Sequence, residues 1–260
     1  MIKIYDQGTS FIKFKDSNKE RIKMKEYIIF SPSKTMDTNS SNKAPFLDQT
    51  ALKIVESLEK MTKEELIDFF KIKKDLADQV FDFYKNIRKN TAKAAIERYK
   101  GISFSQLDGD FCRSDFAKEH FLILSALYGP ISPLTNINPY RLDFSKSLNI
   151  DGESLKNLQK KNYTEKLKSA RIYNLASLEF SERIDKKQMG DWIDIDFYEN
   201  YENSEENKKA PSATSKKLRG RLANHILEAE SFDKKVFESF SYQGYKLNPA
   251  SDKDHYIYSK

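Results

Sequence analysis

Three of the seven prolines in this 260-residue chain fall in one stretch, Leu124–Phe144, LSALYGPISPLTNINPYRLDF. Pro130, Pro133 and Pro139 each fix a φ angle and bias the preceding residue toward extended backbone. A helix entering this stretch must stop at Gly129-Pro130, and the segment after it is a stiff connection rather than a tether. Loops held this firmly on a scaffold present side chains at defined positions. Tyr128, Tyr140 and Arg141 are the ones worth presenting, since an arginine fork suits a phosphate or a carboxylate. The plain alternative is that Arg141 pairs with Asp143 or another acid and only pins the loop.

The rest of the chain is arranged around this connection. Residues 1–23 alternate loosely (Ile2, Ile4; Ile12, Phe14) around a DQG turn and then become polar, as either a small hairpin or a disordered extension. KEYIIFSP reads as a strand stopped by Ser31-Pro32, and a long polar loop continues to Pro45. Leu52, Val55 and Leu58 mark a first helix. Thr62 with Glu65 forms a capping box for a second, carrying Leu66, Phe69 and Phe70. Leu76, Val80, Phe83, Tyr84 and Ile87 mark a third, and Thr91 caps a short fourth that Gly101 ends. SDFAKEHFLILSALYG is expected to be the most apolar helix, capped by Ser114. A Lys-rich helix near Glu153–Lys168, a buried strand RIYNLAS and an alternating strand DWIDIDFYE come next. A basic helix opens near Ser215, and YQGYKL with HYIYSK closes the chain as a hairpin. No internal repeat is visible. With helices leading and strands after them, the expected fold class is α+β, one domain with a mixed sheet surrounded by helices.

Composition narrows the function classes. The net charge is +6 with a pI near 9.0, which favours polyanionic partners, or else only a soluble Lys-rich surface. The single cysteine, Cys112, excludes a disulfide within the chain and fits a reducing compartment. No apolar run reaches the length of a membrane span, and no secretory signal is present, so the expectation is a cytoplasmic protein without a membrane partner. His120, His225 and His255 have no partners at ligand spacing, so no metal and no cofactor is expected. Asp194 and Asp196 share a strand face, more simply as its wet side than as a Mg²⁺ or acid/base pair.

Beyond the proline stretch, three segments carry candidate chemistry. FSPSKTM places Ser31, Ser33, Lys34 and Thr35 at the carboxyl end of a strand, where ligands of helix-covered sheets bind. It lacks the glycines of a P-loop, and its Ser31–Lys34 spacing lacks the companion motifs of a serine–lysine nucleophile. SKKLRGRLANHI places Lys217 and Arg219 about 100° to either side of Leu218, with Lys216 and Arg221 on the rims, either to track a phosphate backbone or as a solvated helix face. In ERYKGISFSQL, Lys100 and Gly101 end a helix at a tight turn of the kind that offers N–H groups to a phosphate in helix-hairpin-helix modules.

Taken in order, YIIFSPSKTM, YKG, LSALYGPISPLTNINPYRLDF, NLASLEF and KKLRGRLANHI resemble the YaaA family of bacterial peroxide-stress proteins, over residues 24–260. Met24 falls where such chains begin, which makes 1–23 an N-terminal extension. The resemblance implies a "cantaloupe"-type α+β fold with a helix-hairpin-helix-like element, a positively charged cleft, binding to double-stranded DNA, and a cytoplasmic role in surviving hydrogen peroxide, without an established enzymatic activity. It carries function onto Ser31, Pro32, Lys34 and Thr35; Lys100 and Gly101; Tyr128, Gly129, Pro133, Pro139, Tyr140 and Arg141; Asn174, Ala176 and Ser177; and Lys216, Lys217, Arg219 and Gly220. Gln106 stands where relatives commonly have Gly, and the helix before NLAS lacks their tryptophan motif.

The leading expectation is a monomeric peroxide-stress protein that binds double-stranded DNA, intact, bulged or damaged, through Lys34, Lys100, Arg141, Lys217 and Arg219, with Tyr128 and Tyr140 free to stack on a base. The alternative is an unrecognised enzyme on a nucleobase or nucleotide, of glycosylase-like chemistry, which requires an acidic residue in the same cleft. An iron-handling protein is the third reading, and the ligand inventory argues against it.

Overall fold

The computed structural model describes residues 11–14, 21–202 and 207–260. The expected strand around Ile2 and Ile4 lies outside them. Strand β1 (Phe11–Phe14) pairs antiparallel with β2 (Arg21–Met24), Ile12 opposite Lys23. The Ile12–Phe14 run therefore pairs with part of the stretch that reads as polar in sequence. β3 (Glu26–Phe30) is the strand expected ahead of Ser31-Pro32, and Tyr27 through Phe30 are all buried. Its run is continuously apolar because both faces are covered.

The three periodic segments fold as α1 (Gln49–Leu58), α2 (Lys63–Phe70) and α3 (Lys74–Asn86). Asp48 caps α1 by accepting from the Ala51 N–H at 2.7 Å, and Thr62 with Glu65 forms the expected capping box on α2. The fourth helix shrinks. Lys93–Ala94 become a short strand, β4, and only α4 (Ala95–Arg98) remains helical. Thr91 does not cap it; its hydroxyl donates to Asn138 Oδ1 at 3.0 Å.

The largest departure is SDFAKEHFLILSALYG. Ser114 caps a helix as expected, accepting from the Ala117 N–H at 3.1 Å. That helix, α5 (Asp115–His120), gives way to a strand, β5 (Phe121–Ser125), whose five residues are all buried. An unbroken apolar run has no period to separate a buried helix from a buried strand. The edge of β3 decides: Ile28 pairs with Phe121 and Phe30 with Ile123, in parallel. β6 (Gly129–Ile131) returns antiparallel, with Ser125 opposite Gly129, whose φ of 75° turns the chain. A short β7 (Asn136–Ile137) then pairs with β4.

The hairpin β8 (Asn149–Ile150) and β9 (Glu153–Ser154) precedes α6 (Leu155–Leu167), β10 (Arg171–Leu175) and α7 (Leu178–Ser181). β11 (Asp191–Asn200) buries Ile193, Ile195 and Phe197 as the alternation predicts. β12 (Lys208–Lys209), α8 (Ser212–Ala229), α9 (Lys234–Ser239), β13 (Ser241–Tyr242), β14 (Tyr245–Leu247) and β15 (His255–Ser259) complete the chain.

One sheet runs β13-β14-β15-β11-β10-β3-β5-β6, with β12 added to β11. β5, β3, β10, β11 and β15 are mutually parallel, while β6, β12 and β14 are antiparallel to their neighbours. The fold is therefore a single α+β domain with a mixed sheet flanked by helices. Helices and strands do not divide between the halves of the chain, because β3 and β5 come from the helix-rich half. The chain steps from β3 to β5 on one side, then crosses to β10 on the other. Such a reversal leaves a crevice at the carboxyl ends of the two strands where the order switches, here β3 and β10. Among the described residues, no helix is long and apolar enough to cross a membrane.

Candidate anion-binding cleft

Phe30 and Leu175 are register partners at the ends of β3 and β10. The chain leaves them at Ser31 and at Ala176-Ser177. Ser31 Oγ accepts from the Ser177 N–H at 2.7 Å and donates to Ser177 Oγ at 3.1 Å. Two residues on, Ser33 lies against Gly101, where a Cβ would stand 3.0 Å from Ser33 Oγ and φ is 112°. The Lys100 N–H donates to Thr35 O at 2.9 Å. The loop after β3 is thus tied to the β10 loop at one end and to the Tyr99–Gly101 turn at the other.

Over this floor opens a cleft of ≈ 380 Å³. It gathers Ser31, Ser33, Lys34, Thr35, Lys100, Gly101, Tyr140, Arg141, Ser177, Lys216 and Arg219, from five separate stretches of sequence. Lys34 is held by Asp143, Nζ to Oδ2 at 2.6 Å. Among the described residues, Lys100, Arg141, Lys216 and Arg219 make no ion pair. Arg219 Nε is moreover buried without a hydrogen-bond partner. Its burial pulls the guanidinium pKa down, with Asp196 opposing, yet an arginine stays charged.

The proline stretch is fixed from behind by buried side chains. Tyr84 donates its hydroxyl to Arg141 O at 2.7 Å, and Tyr163 donates to Ser125 O at 2.8 Å. Asn138 Nδ2 donates to Ile87 O and Lys89 O, both at 2.8 Å. The hydroxyl of Tyr140 lies 2.8 Å from both Tyr99 Oη and Ser125 Oγ. Burial pushes the Tyr140 phenol up to about 12, against hydrogen bonds from Ser125 and Tyr99, so it stays protonated. These groups set where Arg141 emerges.

Three expected contacts are placed elsewhere. Tyr128 is 1% exposed, its hydroxyl donating to Asn138 O at 3.1 Å, so it cannot stack on a base; Tyr140 lines the cleft but is only 4% exposed. Asn174 lies beneath the floor, donating to Asp194 Oδ1 at 2.8 Å and accepting from the Ala176 N–H at 3.1 Å, and so shapes the turn that carries Ser177. Lys217 faces away, its ammonium 5.4 Å over the Tyr242 ring beside Arg221. Leu218 and Leu222 point inward, so the two flanks of α8 face opposite ways. Lys216 and Arg219, three apart, share the cleft side. Gly220 lets the helix approach: a Cβ there would stand 2.2 Å from Ser103 O.

Arg141 does not pair with Asp143. Burial alone would raise the Asp143 carboxyl, but the Lys34 ammonium and the Ser145 hydroxyl and N–H hold it below its ordinary value. Glu179 also lines the cleft, Oε1 accepting from the Phe144 N–H at 3.0 Å. Asp143 and Glu179 each sit two positions past a residue already singled out, Arg141 and Ser177. That proximity is the available sequence signal for them. Arg98 has none: it is fully buried, donating to Ile137 O, Asp37 O, Asn39 O and Thr91 O at 3.2, 2.5, 2.9 and 2.9 Å, and holds the long polar loop against the core. Gly101 itself comes after the four-residue α4 and leads into 3-10 turns at Phe104–Gln106 and Phe111–Arg113. Among the described residues, no three His, Cys, Asp or Glu stand together as a metal site.

The family model described as peroxide stress protein YaaA matches residues 26–251. A UPF0246 protein of Francisella tularensis subsp. novicida is 31% identical over 243 residues, covering 85% of this chain and 94% of that protein. A UPF0246 protein of Francisella philomiragia subsp. philomiragia is 30% identical over 242 residues, with the same coverage.

Proposed function

This chain belongs to the peroxide stress protein YaaA family, and from that premise we propose that it limits oxidative damage by binding double-stranded DNA at the cleft over β3 and β10. The observation that carries the reading is the set of unneutralised cations, Lys100, Arg141, Lys216 and Arg219, around one concave site. Charges left without partners are available to phosphates, and each phosphate engaged releases counterions. A cleft of ≈ 380 Å³ matches a nucleotide-sized group rather than the width of a duplex. Flanking phosphates therefore lie along the rim on Lys100 and Lys216, and one extrahelical nucleotide enters beside Arg141 and Arg219. Bulged or damaged DNA, already locally unstacked, is favoured. The Gly101 turn plays the part of a helix-hairpin-helix turn, offering its backbone to a phosphate. The protein acts as a cytoplasmic monomer.

The test is fluorescence anisotropy with labelled duplex, bulged and single-stranded DNA across a salt series. Affinity that falls log-linearly with salt and is tightest for the bulged form supports the reading. No binding at low salt removes it and leaves a small anionic ligand.

A second reading, an enzyme acting on a nucleobase or nucleotide, is favoured by Asp143 and Glu179, carboxylates in the same cleft as Lys34 and Arg141. Such pairs supply acid and base for cleavage next to a flipped base. Incubation with the bulged duplex and chromatography of the products decides it. A product lost in Glu179→Gln supports turnover; unchanged DNA argues for binding alone.

A further inference from the structure

Three large apolar side chains are exposed among the described residues: Phe46, Ile102 and Leu178. One of the three lines the cleft and a second stands between two residues that do. Ile102 lines it, 45% exposed, directly after Gly101. Leu178 is 70% exposed, and its neighbours Ser177 and Glu179 both line the cleft. Leu178 opens α7, which packs through Phe180 and Ser181 and leaves its first residue outside. Ser31 is bonded to Ser177 and Ser33 abuts Gly101, so Leu178 and Ile102 each come directly after a residue that contacts the Ser31–Ser33 floor.

An apolar side chain adds nothing to phosphate binding. Beside a ring of cations, its natural counterpart is the stacked face of bases. Proteins that open a duplex insert Leu, Ile, Phe or Met between base steps and so offset part of the unstacking cost. A nucleotide must leave its stack to enter a cleft of this size. We propose that Leu178, exposed beside the cleft that Ile102 lines, is a wedge that enters the gap left by the extrahelical nucleotide and keeps that nucleotide in the cleft. This rests on the DNA-binding reading above. The cations then set affinity, and the wedge sets the preference for unstacked DNA.

The experiment uses a duplex with 2-aminopurine beside a single-nucleotide bulge, whose fluorescence rises on unstacking, together with anisotropy on the same DNA. Wild-type protein is expected to raise the 2-aminopurine signal severalfold. Leu178→Ala, at an exposed position, is expected to keep the salt slope and its affinity for intact duplex within about twofold, since its phosphate contacts are untouched. It should lose most of the fluorescence rise and about tenfold of the preference for bulged over intact duplex, as buried apolar area is removed. Leu178→Phe, a larger wedge, should retain both. Wild-type binding without a fluorescence rise, or a full rise with Leu178→Ala, overturns the wedge and leaves DNA binding standing. Absence of wild-type binding by anisotropy overturns both.

Discussion

Two hollows open at opposite ends of the same parallel strands, and they treat charge differently. At the amino ends, a hollow of ≈ 730 Å³ is lined by Arg171, Asp191, Lys234, Glu238, Lys253 and Asp254, among others. Each of its cations has a carboxylate: Arg171 with Asp191 at 2.7 Å and Glu26 at 3.4 Å, Lys234 with Glu238 at 3.0 Å, Lys253 with Asp254 at 3.2 Å. At the carboxyl ends the cleft is about half that volume, ≈ 380 Å³, and of its five cations only Lys34 is paired among the described residues. The number of charges does not mark a site, nor does the size of the hollow. On the proposed reading charge without a partner does, because a paired cation must give up its carboxylate before it can take a phosphate.

The sharpest way to break this contrast is to reverse charge at both ends. Arg141→Glu with Arg219→Glu is expected to weaken DNA binding by about 10³-fold and to lower the salt slope by about two. Lys234→Glu with Lys253→Glu changes the net charge by the same amount and is expected to leave both within about twofold, because exposed, paired charges far from the site act only through the screened overall field. Equal losses in the two variants would mean that total charge, not the cleft, binds DNA. Lys217→Glu, beside Tyr242, should behave like the amino-end pair.

The architecture under the cleft gives the next effects. Arg98→Met takes the guanidinium donor from the carbonyls of Asp37, Asn39 and Ile137, and from that of Thr91, which keeps the Ser41 N–H, and should cost about 3 kcal/mol in denaturant unfolding. Gly220→Ala reverses the usual helix rule. Alanine in place of an interior helical glycine ordinarily stabilises by about 1 kcal/mol; here the added Cβ meets Ser103 O, and a loss of about 2 kcal/mol is expected from overpacking. Unchanged stability in Gly220→Ala would mean that α8 can move off the turn, and the placement of Arg219 with it.

The smallest effect lies at the paired lysine. Asp143 is held below its ordinary value in the folded state, so its contribution is present above the unfolded carboxyl value, near pH ~4, and fades as pH falls through the lower folded one. Asp143→Asn should therefore lower stability by about 1 kcal/mol at pH 7, and its thermal unfolding curve should converge with wild type at acid pH. Curves that stay parallel down to pH 3 would place the stabilisation elsewhere.

Much of the candidate site is legible in the sequence because it lies in short motifs at strand and helix ends. Ser31 and Ser33 come after a strand that stops at proline, and Arg141 ends a proline stretch whose backbone must be extended and fixed, which β6 and β7 realise. Tyr128 and Tyr140 reverse the expectation. The stiffness that would present them to a ligand instead turns them inward, where their hydroxyls hold the stretch in place. From α8 the sequence shows cations on both flanks of Leu218, and nothing local says which flank meets the cleft.

What the sequence determined by itself is local: the capping box at Thr62 and Glu65, the Ser114 cap, the alternation in β11, the stop at Ser31-Pro32. Each depends on groups a few residues apart, so the information travels with the segment. What only the tertiary structure decided is where a segment needs a distant partner. Phe121–Ser125 became a strand because β3 offered an edge. Arg98 could be buried because four backbone carbonyls, from the long polar loop, Thr91 and β7, met it. Arg219 rather than Lys217 reached the cleft because Gly220 let α8 close onto Ser103. Burial and pairing are properties of neighbours in space, and those neighbours are set only once the sheet has ordered its strands.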